Sequence, residues 1–178
     1  MDWSALRRIV TQLDENGRSD VLIDGGPAKT LAVEEAGLAE IWTAALTGAD
    51  LQAGEDRLAT EDVRLEPGAG AVKVRWFTVP PEDPEMSAED REAQAAFGFA
   101  ACGASEARVD TSRHPMMHKT ETLDVIILVR GEVDLLLDKG APRAMKPGDV
   151  VIQRATNHAW INRGEETALL VAVLISAA

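Results

Sequence analysis

The sequence predicts an all-β protein, an antiparallel sandwich or barrel, and three observations carry the prediction. Short β-branched and aliphatic runs recur at 124–130 (DVIILVR), 132–138 (EVDLLLD) and 150–154 (VVIQR), at lengths suited to strands rather than helices. Turn formers punctuate them: Gly131, DKGAP at 138–142, KPGD at 146–149 and NRGEE at 162–166. No helical period intervenes between these runs, so consecutive strands are expected to pair antiparallel. The closing apolar run at 167–176 (TALLVAVLIS) is too short to cross a bilayer as a helix and reads as a core strand.

The chain has 178 residues, 46% of them hydrophobic, which suits a single domain over 1–178 that can bury a real core. Within it, residues 1–70 read as strands and loops packing on the barrel or on a partner, and 71–178 as the barrel itself. With 18 basic against 30 acidic residues the net charge is -12, which repels phosphate backbones and anionic membrane surfaces. Nucleic acid and membrane partners are therefore not expected. The start, MDWSALRRIV, lacks the apolar stretch of a signal peptide, so a cytoplasmic protein is expected. The single Cys102 cannot form an internal disulfide and reads as an inert small apolar residue.

From the N-terminus, residues 7–24 predict a β-hairpin with Asn16-Gly17 at its tip. A lone hairpin is marginal in water and must pack on something; pairing with a neighbouring subunit would give a homodimer. GGPAK breaks the chain, LAVEEAG is ambiguous, and residues 38–46 predict a strand burying Ile41 or Trp42. The polar, Gly-punctuated stretch 47–62 reads as a surface loop. Residues 72–79 predict a strand with Val72, Val74 and Trp76 on one face and Lys73, Arg75 and Phe77 on the other. Ser87 followed by Glu89 and Asp90 is a helix start, and the alanine-rich stretch behind it predicts a short inserted helix near 87–100, of two to three turns.

All three histidines, His114, His118 and His158, fall between Thr111 and Ala178, well under half of the chain. His118 and Asp124 share parity, as do His158, Trp160 and Asn162, so each set points to one face if its segment is extended. Two imidazoles and a carboxylate on one cavity would suit a divalent metal such as iron, manganese, nickel or zinc. Pro115 places His114 in an exposed loop. Glu121 has the opposite parity and reads as a solvated charge.

His118, Asp124 and Gly131, with His158-Ala-Trp-Ile-Asn162 further on, resemble the two sequence motifs of the cupins over residues 111–176. The resemblance implies a jelly-roll barrel, or double-stranded β-helix, with an N-terminal hairpin extension. It also implies a cavity in which His118, Asp124 and His158 are the metal ligands, with Met116, Trp160 and Asn162 in the ligand pocket. Met116 stands where the family has the first histidine of His-x-His, Asp124 where it has glutamate, and Gln153 and Ala155 where it has proline and glycine. The fold hosts many chemistries, and three functions follow. One is a metal-dependent enzyme of oxygenase, isomerase or lyase type acting on an oxygenated small molecule. Another is a metal-free enzyme using His118 and His158 as catalytic acid and base. The third is a non-catalytic small-molecule binding module.

Overall fold

The structure, a computed structural model, describes residues 2–47 and 54–177. Its strands run β1 (Arg8–Leu13), β2 (Ser19–Gly25), β3 (Thr30–Val33), β4 (Ala36–Ala45), β5 (Ala71–Val79), β6 (Thr122–Arg130), β7 (Val133–Leu137), β8 (Arg143–Met145), β9 (Val150–Arg154), β10 (His158–Ile161) and β11 (Ala168–Ser176). One α-helix, α1 (Ala88–Ala101), is inserted between β5 and β6. The strands pair antiparallel as a six-stranded sheet β3-β4-β5-β11-β6-β9, a three-stranded sheet β10-β7-β8, and the separate hairpin β1-β2. This is the all-β antiparallel architecture predicted from the strand runs.

Alternation along each strand decides what the two larger sheets bury. Ile126 and Leu128 of β6, Leu170, Ala172 and Leu174 of β11, Val133 and Leu135 of β7 and Trp160 of β10 meet in one core cluster between the sheets. The opposite face of the small sheet, Leu136, Ala159 and Ile161, is covered by Met117. The turn between β6 and β7 depends on Gly131, whose φ of 85° is in the left-handed region. A Cβ there would lie 2.8 Å from the Cα of Ala168, so only glycine lets β6 turn against the start of β11.

The stretch that reads ambiguously, LAVEEAG, is a tight β3-β4 hairpin turning at Glu34, whose φ is 54°. The strand expected at 38–46 forms, but it fully buries Ala39, Glu40 and Ala44 rather than Ile41 or Trp42. A register shift between Glu40 and Trp42 is the reason. The extra residue, Ile41, resets the alternation, so Glu40 faces inward opposite Arg75 while Trp42 emerges on the outer face opposite Val74. There Trp42, Val74, Val173, Val125 and Ile152 form one apolar row across five strands, with Ile152 more than half exposed.

The hairpin at 7–24 forms as predicted and is tied down by Arg8, which donates to the carbonyls of Gly26 and Ile41 and pairs with Asp56. Of the expected loop at 47–62, residues 48–53 lie outside the described residues, and a single 3-10 turn covers Arg57–Ala59. Helix α1 has 14 residues, close to four turns and so longer than the two to three expected. Ser87 Oγ caps it by accepting from the Asp90 amide at 3.0 Å, and Phe99 packs it against Leu31 and Leu38 of the β3-β4 hairpin.

Ala155 has a φ of 48° at the position where the resembling motif carries glycine. The backbone has kept the turn without the residue that makes it cheap. Replacing Ala155 with glycine is expected to stabilise the fold by about 1 kcal/mol, relief of left-handed strain exceeding the added chain entropy. Urea unfolding at constant m-value measures it, and an unchanged or lowered midpoint counts against this account.

Candidate functional site

His118 and His158 are 40 positions apart in sequence and directly opposed in space. Each backbone amide donates to the other's carbonyl at 2.9 Å, a reciprocal antiparallel bridge that sets the side chains over one face. Their ring centroids are 4.3 Å apart. Phe99 of α1 packs on His118 at 4.9 Å, and Trp160 packs edge-on to His158 at 5.5 Å. These side chains, with Arg75, Phe77 and Asp124, line a cavity of about 560 Å³ between the sheets, room for a small organic molecule.

The hydrogen bonds settle the tautomers. His118 Nδ1 lies 2.9 Å from the Met116 carbonyl and His158 Nδ1 2.9 Å from the Thr156 carbonyl. A carbonyl only accepts, so each Nδ1 carries the proton and each neutral ring keeps its lone pair on Nε2. Neither Nε2 has a partner among the described residues. Burial lowers both imidazoles from their ordinary range, and the neighbouring His118 helps bring His158 to about 3. At neutral pH the cavity therefore presents two uncharged hydrogen-bond acceptors side by side.

Asp124 projects inward from β6 and is 3% exposed. It accepts from the Thr122 hydroxyl, its Oδ1 has no partner, and burial pushes its carboxyl upward. The three side chains expected as metal ligands thus divide: the histidines meet, while Asp124 lines the same cavity without joining them. Among the described residues no group of three His, Cys, Asp or Glu side chains is placed to hold a metal ion. Two neutral imidazoles suit a borderline divalent ion, but a stable site needs a third protein ligand, and the donor set as it stands does not fit one.

Met116 lies at the cavity's edge and is 39% exposed. Trp160 forms part of the wall. Asn162 also reaches the cavity, but its amide is used by the fold: Nδ2 donates to the Val79 and Glu166 carbonyls, and Oδ1 accepts from the Gly164 amide. Glu121 is solvated and paired with Lys119, as its parity implies. His114 is not an exposed loop residue. It lines the cavity, accepting from the Met116 amide at Nδ1 and donating from Nε2 to Glu82 Oε1 at 2.7 Å. Pro115 does place it in a loop, but the Glu82 segment folds across and covers it. Cys102 is buried, and that burial pushes its thiol up, consistent with an inert residue.

Sequence reasoning missed Arg75 and Phe99 as cavity residues. Strict alternation puts Arg75 and Phe77 on one face of β5, but it does not say that the face bearing two cations is the inner one.

No protein-family model matches the whole chain or a part of it. A 48-residue stretch is 52% identical to phomopsin biosynthesis cluster protein C' of Diaporthe leptostromiformis, covering 27% of this chain and 25% of that one. A 46-residue stretch is 48% identical to a cupin-domain-containing oxidoreductase of Neurospora crassa, covering 26% and 24%. The matched stretches span about a quarter of the length of these curated relatives. Among solved structures, a Cupin 2 conserved barrel domain protein from Salinispora arenicola aligns over 84% of this chain and 83% of its own, at 15% identity and a TM-score of 0.43. The antiparallel two-sheet architecture and the local match to a cupin-domain-containing protein agree with the cupin resemblance of the motifs. In this chain the two histidines of the motifs face one another across a backbone bridge, and no described helix is long and apolar enough to cross a membrane.

Proposed function

We propose that this protein binds a small hydroxylated organic molecule in its barrel cavity and that His118 and His158 are the groups that accept the hydrogen bond of the ligand's hydroxyl. The observation that carries the reading is the paired Nε2 lone pairs, both free and both held in place by Nδ1–H bonds to backbone carbonyls. An aromatic and apolar wall would seat a carbon skeleton, and the only strong acceptors it meets at the ring pair are those two nitrogens. A hydroxyl donating to either is bound directionally, and because burial lowers both rings the pair accepts the hydrogen bond while the proton stays on the ligand. The partial matches to a biosynthesis cluster protein and to an oxidoreductase agree with an organic substrate. A divalent metal held by His118 and His158 alone would be held weakly. A homodimer would bury the half-buried apolar outer row from Trp42 to Ile152, whose Ile152 end is exposed.

The test uses 1-naphthol and its methyl ether, which differ in the hydroxyl donor alone. Calorimetry should show the naphthol bound at least about tenfold tighter than the ether, one charge-neutral buried hydrogen bond's worth. His158→Gln and His118→Gln should each erase most of that difference. Equal affinities for the two probes, or a preference that survives both substitutions, would sink the proposal.

A further inference from the structure

The cavity wall opposite the strand-borne aliphatic side chains contains a guanidinium whose hydrogen-bonding capacity is half spent. Arg75 on β5 is 2% exposed and lines the cavity. Its Nη2 is occupied, donating to the Arg64 carbonyl at 2.5 Å and lying 2.9 Å from Glu40 Oε1. Nε and Nη1 have no hydrogen-bond partner among the described residues and are out of reach of bulk water. Arginine has five N–H donors and cannot discharge itself by losing its proton, so leaving donors unpaired in the interior is costly. Such an orphan in a cavity wall marks the place where something outside the chain completes the bonding.

The surrounding charges are of both signs. Lys73, two residues along the same face, is also buried and spends its ammonium on the Arg64 and Glu66 carbonyls. Against these two cations stand Glu40, which holds Nη2 from outside the cavity lining, and Asp124, whose carboxyl burial drives toward its neutral form. The other acids that line the cavity, Glu34, Glu35, Glu82 and Asp83, outnumber its second guanidinium, Arg91, so an anion would be held by the unpaired donors of Arg75 itself and not by the net charge of the wall. Between Arg75 and the β6 row lies Ala172, a small residue in register with both Arg75 and Ile126.

We infer that Arg75 is a recognition point for an anionic oxygen group, of carboxylate class, on the molecule that occupies the cavity. A carboxylate would accept from Nη1 in a single charge-assisted hydrogen bond, displacing no existing one; both forks of a guanidinium include Nη2, which is already taken. A ligand of this kind carries its acidic end at Arg75 and its hydroxyl at the histidine pair. The inference rests on the small-molecule pocket proposed above and adds the charge of what fills it.

The probes are 1-naphthoate and 1-naphthamide, matched in shape and differing in charge, titrated into the full chain at about 0.15 M salt, where long-range repulsion from the acidic surface is screened. The wild-type chain should bind the carboxylate at least tenfold tighter than the amide. A double variant, Glu40→Leu with Arg75→Met, removes both buried charges together and so avoids stranding one; it should bind the two probes within threefold of each other, with the amide's affinity unchanged. If the wild-type chain binds the amide as tightly as the carboxylate, the pocket stands and the anionic inference is overturned. If the double variant keeps the carboxylate preference, Arg75 is not its source and the inference is equally overturned. If neither probe binds, and 1-naphthol does not either, the pocket reading itself has failed and takes this one with it.

Discussion

Lowering the pH from 6.5 to 4.5 is expected to cost the fold about 2 kcal/mol through His158 alone, with His118 adding a loss of the same sign. The sign follows from where protons bind. An unfolded histidine takes up a proton near its ordinary value of 6.5, whereas burial and the neighbouring ring lower His158 to about 3 in the fold. Stability from keeping the ring neutral is fully present above 6.5 and drains away as pH falls, because between 6.5 and 3 only the unfolded chain is protonated there. Two buried carboxyls oppose the trend. Glu40 and Asp124 are raised by burial, so the folded chain takes up their protons first and gains stability as pH drops through their folded values. The histidine contribution is therefore read as a difference. The slope of unfolding free energy against pH between 6.5 and 4.5 should be shallower in His158→Gln than in the wild-type chain by about 1 kcal/mol per pH unit on average, rising toward one proton's worth at the acid end. Parallel slopes would mean that His158 titrates normally and that its Nε2 is not held in a dry site.

The same burial explains which parts of this molecule could be read before folding. Strands are written in local alternation and in the turns between them, so β1, β2, β5, β6, β7, β9 and β11 follow from runs of residues and from Gly131 or Asn16-Gly17. The pairing of His118 with His158 was legible only through the two motifs, since parity aligns side chains within a strand and says nothing of strands 40 positions apart. Three things were not legible. The bulge at Ile41 depends on which partner Glu40 finds across the sheet, and that partner is on β5. The cover over His114 comes from Glu82, supplied by a segment whose Pro-rich sequence promises only a break in the sheet. Arg75 looks like a surface cation until β4 supplies a carboxylate opposite it. Each depends on a tertiary contact rather than on local chemistry, and two of the three lie in the wall of the cavity, where ordinary patterning gives way to function.

Glu40→Ala is expected to be the most damaging of the single substitutions considered, lowering the unfolding free energy by about 3–5 kcal/mol. Glu40 is 1% exposed and Arg75 2%, and their closest atoms are 2.9 Å apart. Removing the carboxylate leaves Arg75 and the neighbouring Lys73 as buried cations, with Asp124 the remaining acid that acts on Arg75. The cost is therefore that of a stranded charge, not of the pair's own attraction, which desolvation of both partners largely cancels. Removing both charges should show this: Glu40→Leu with Arg75→Met is expected to recover most of the loss and to match or exceed the wild-type chain, as well-packed apolar replacements of buried pairs often do. Urea unfolding of the two single variants and the double variant gives the coupling directly. A Glu40→Ala loss below about 1 kcal/mol, or a double variant no better than the single, would contradict it. If the double variant is as stable as predicted, stability cannot be the reason for a guanidinium in the barrel wall. A cavity that keeps a charged residue where leucine and methionine would hold the sheet equally well is keeping it for what enters the cavity.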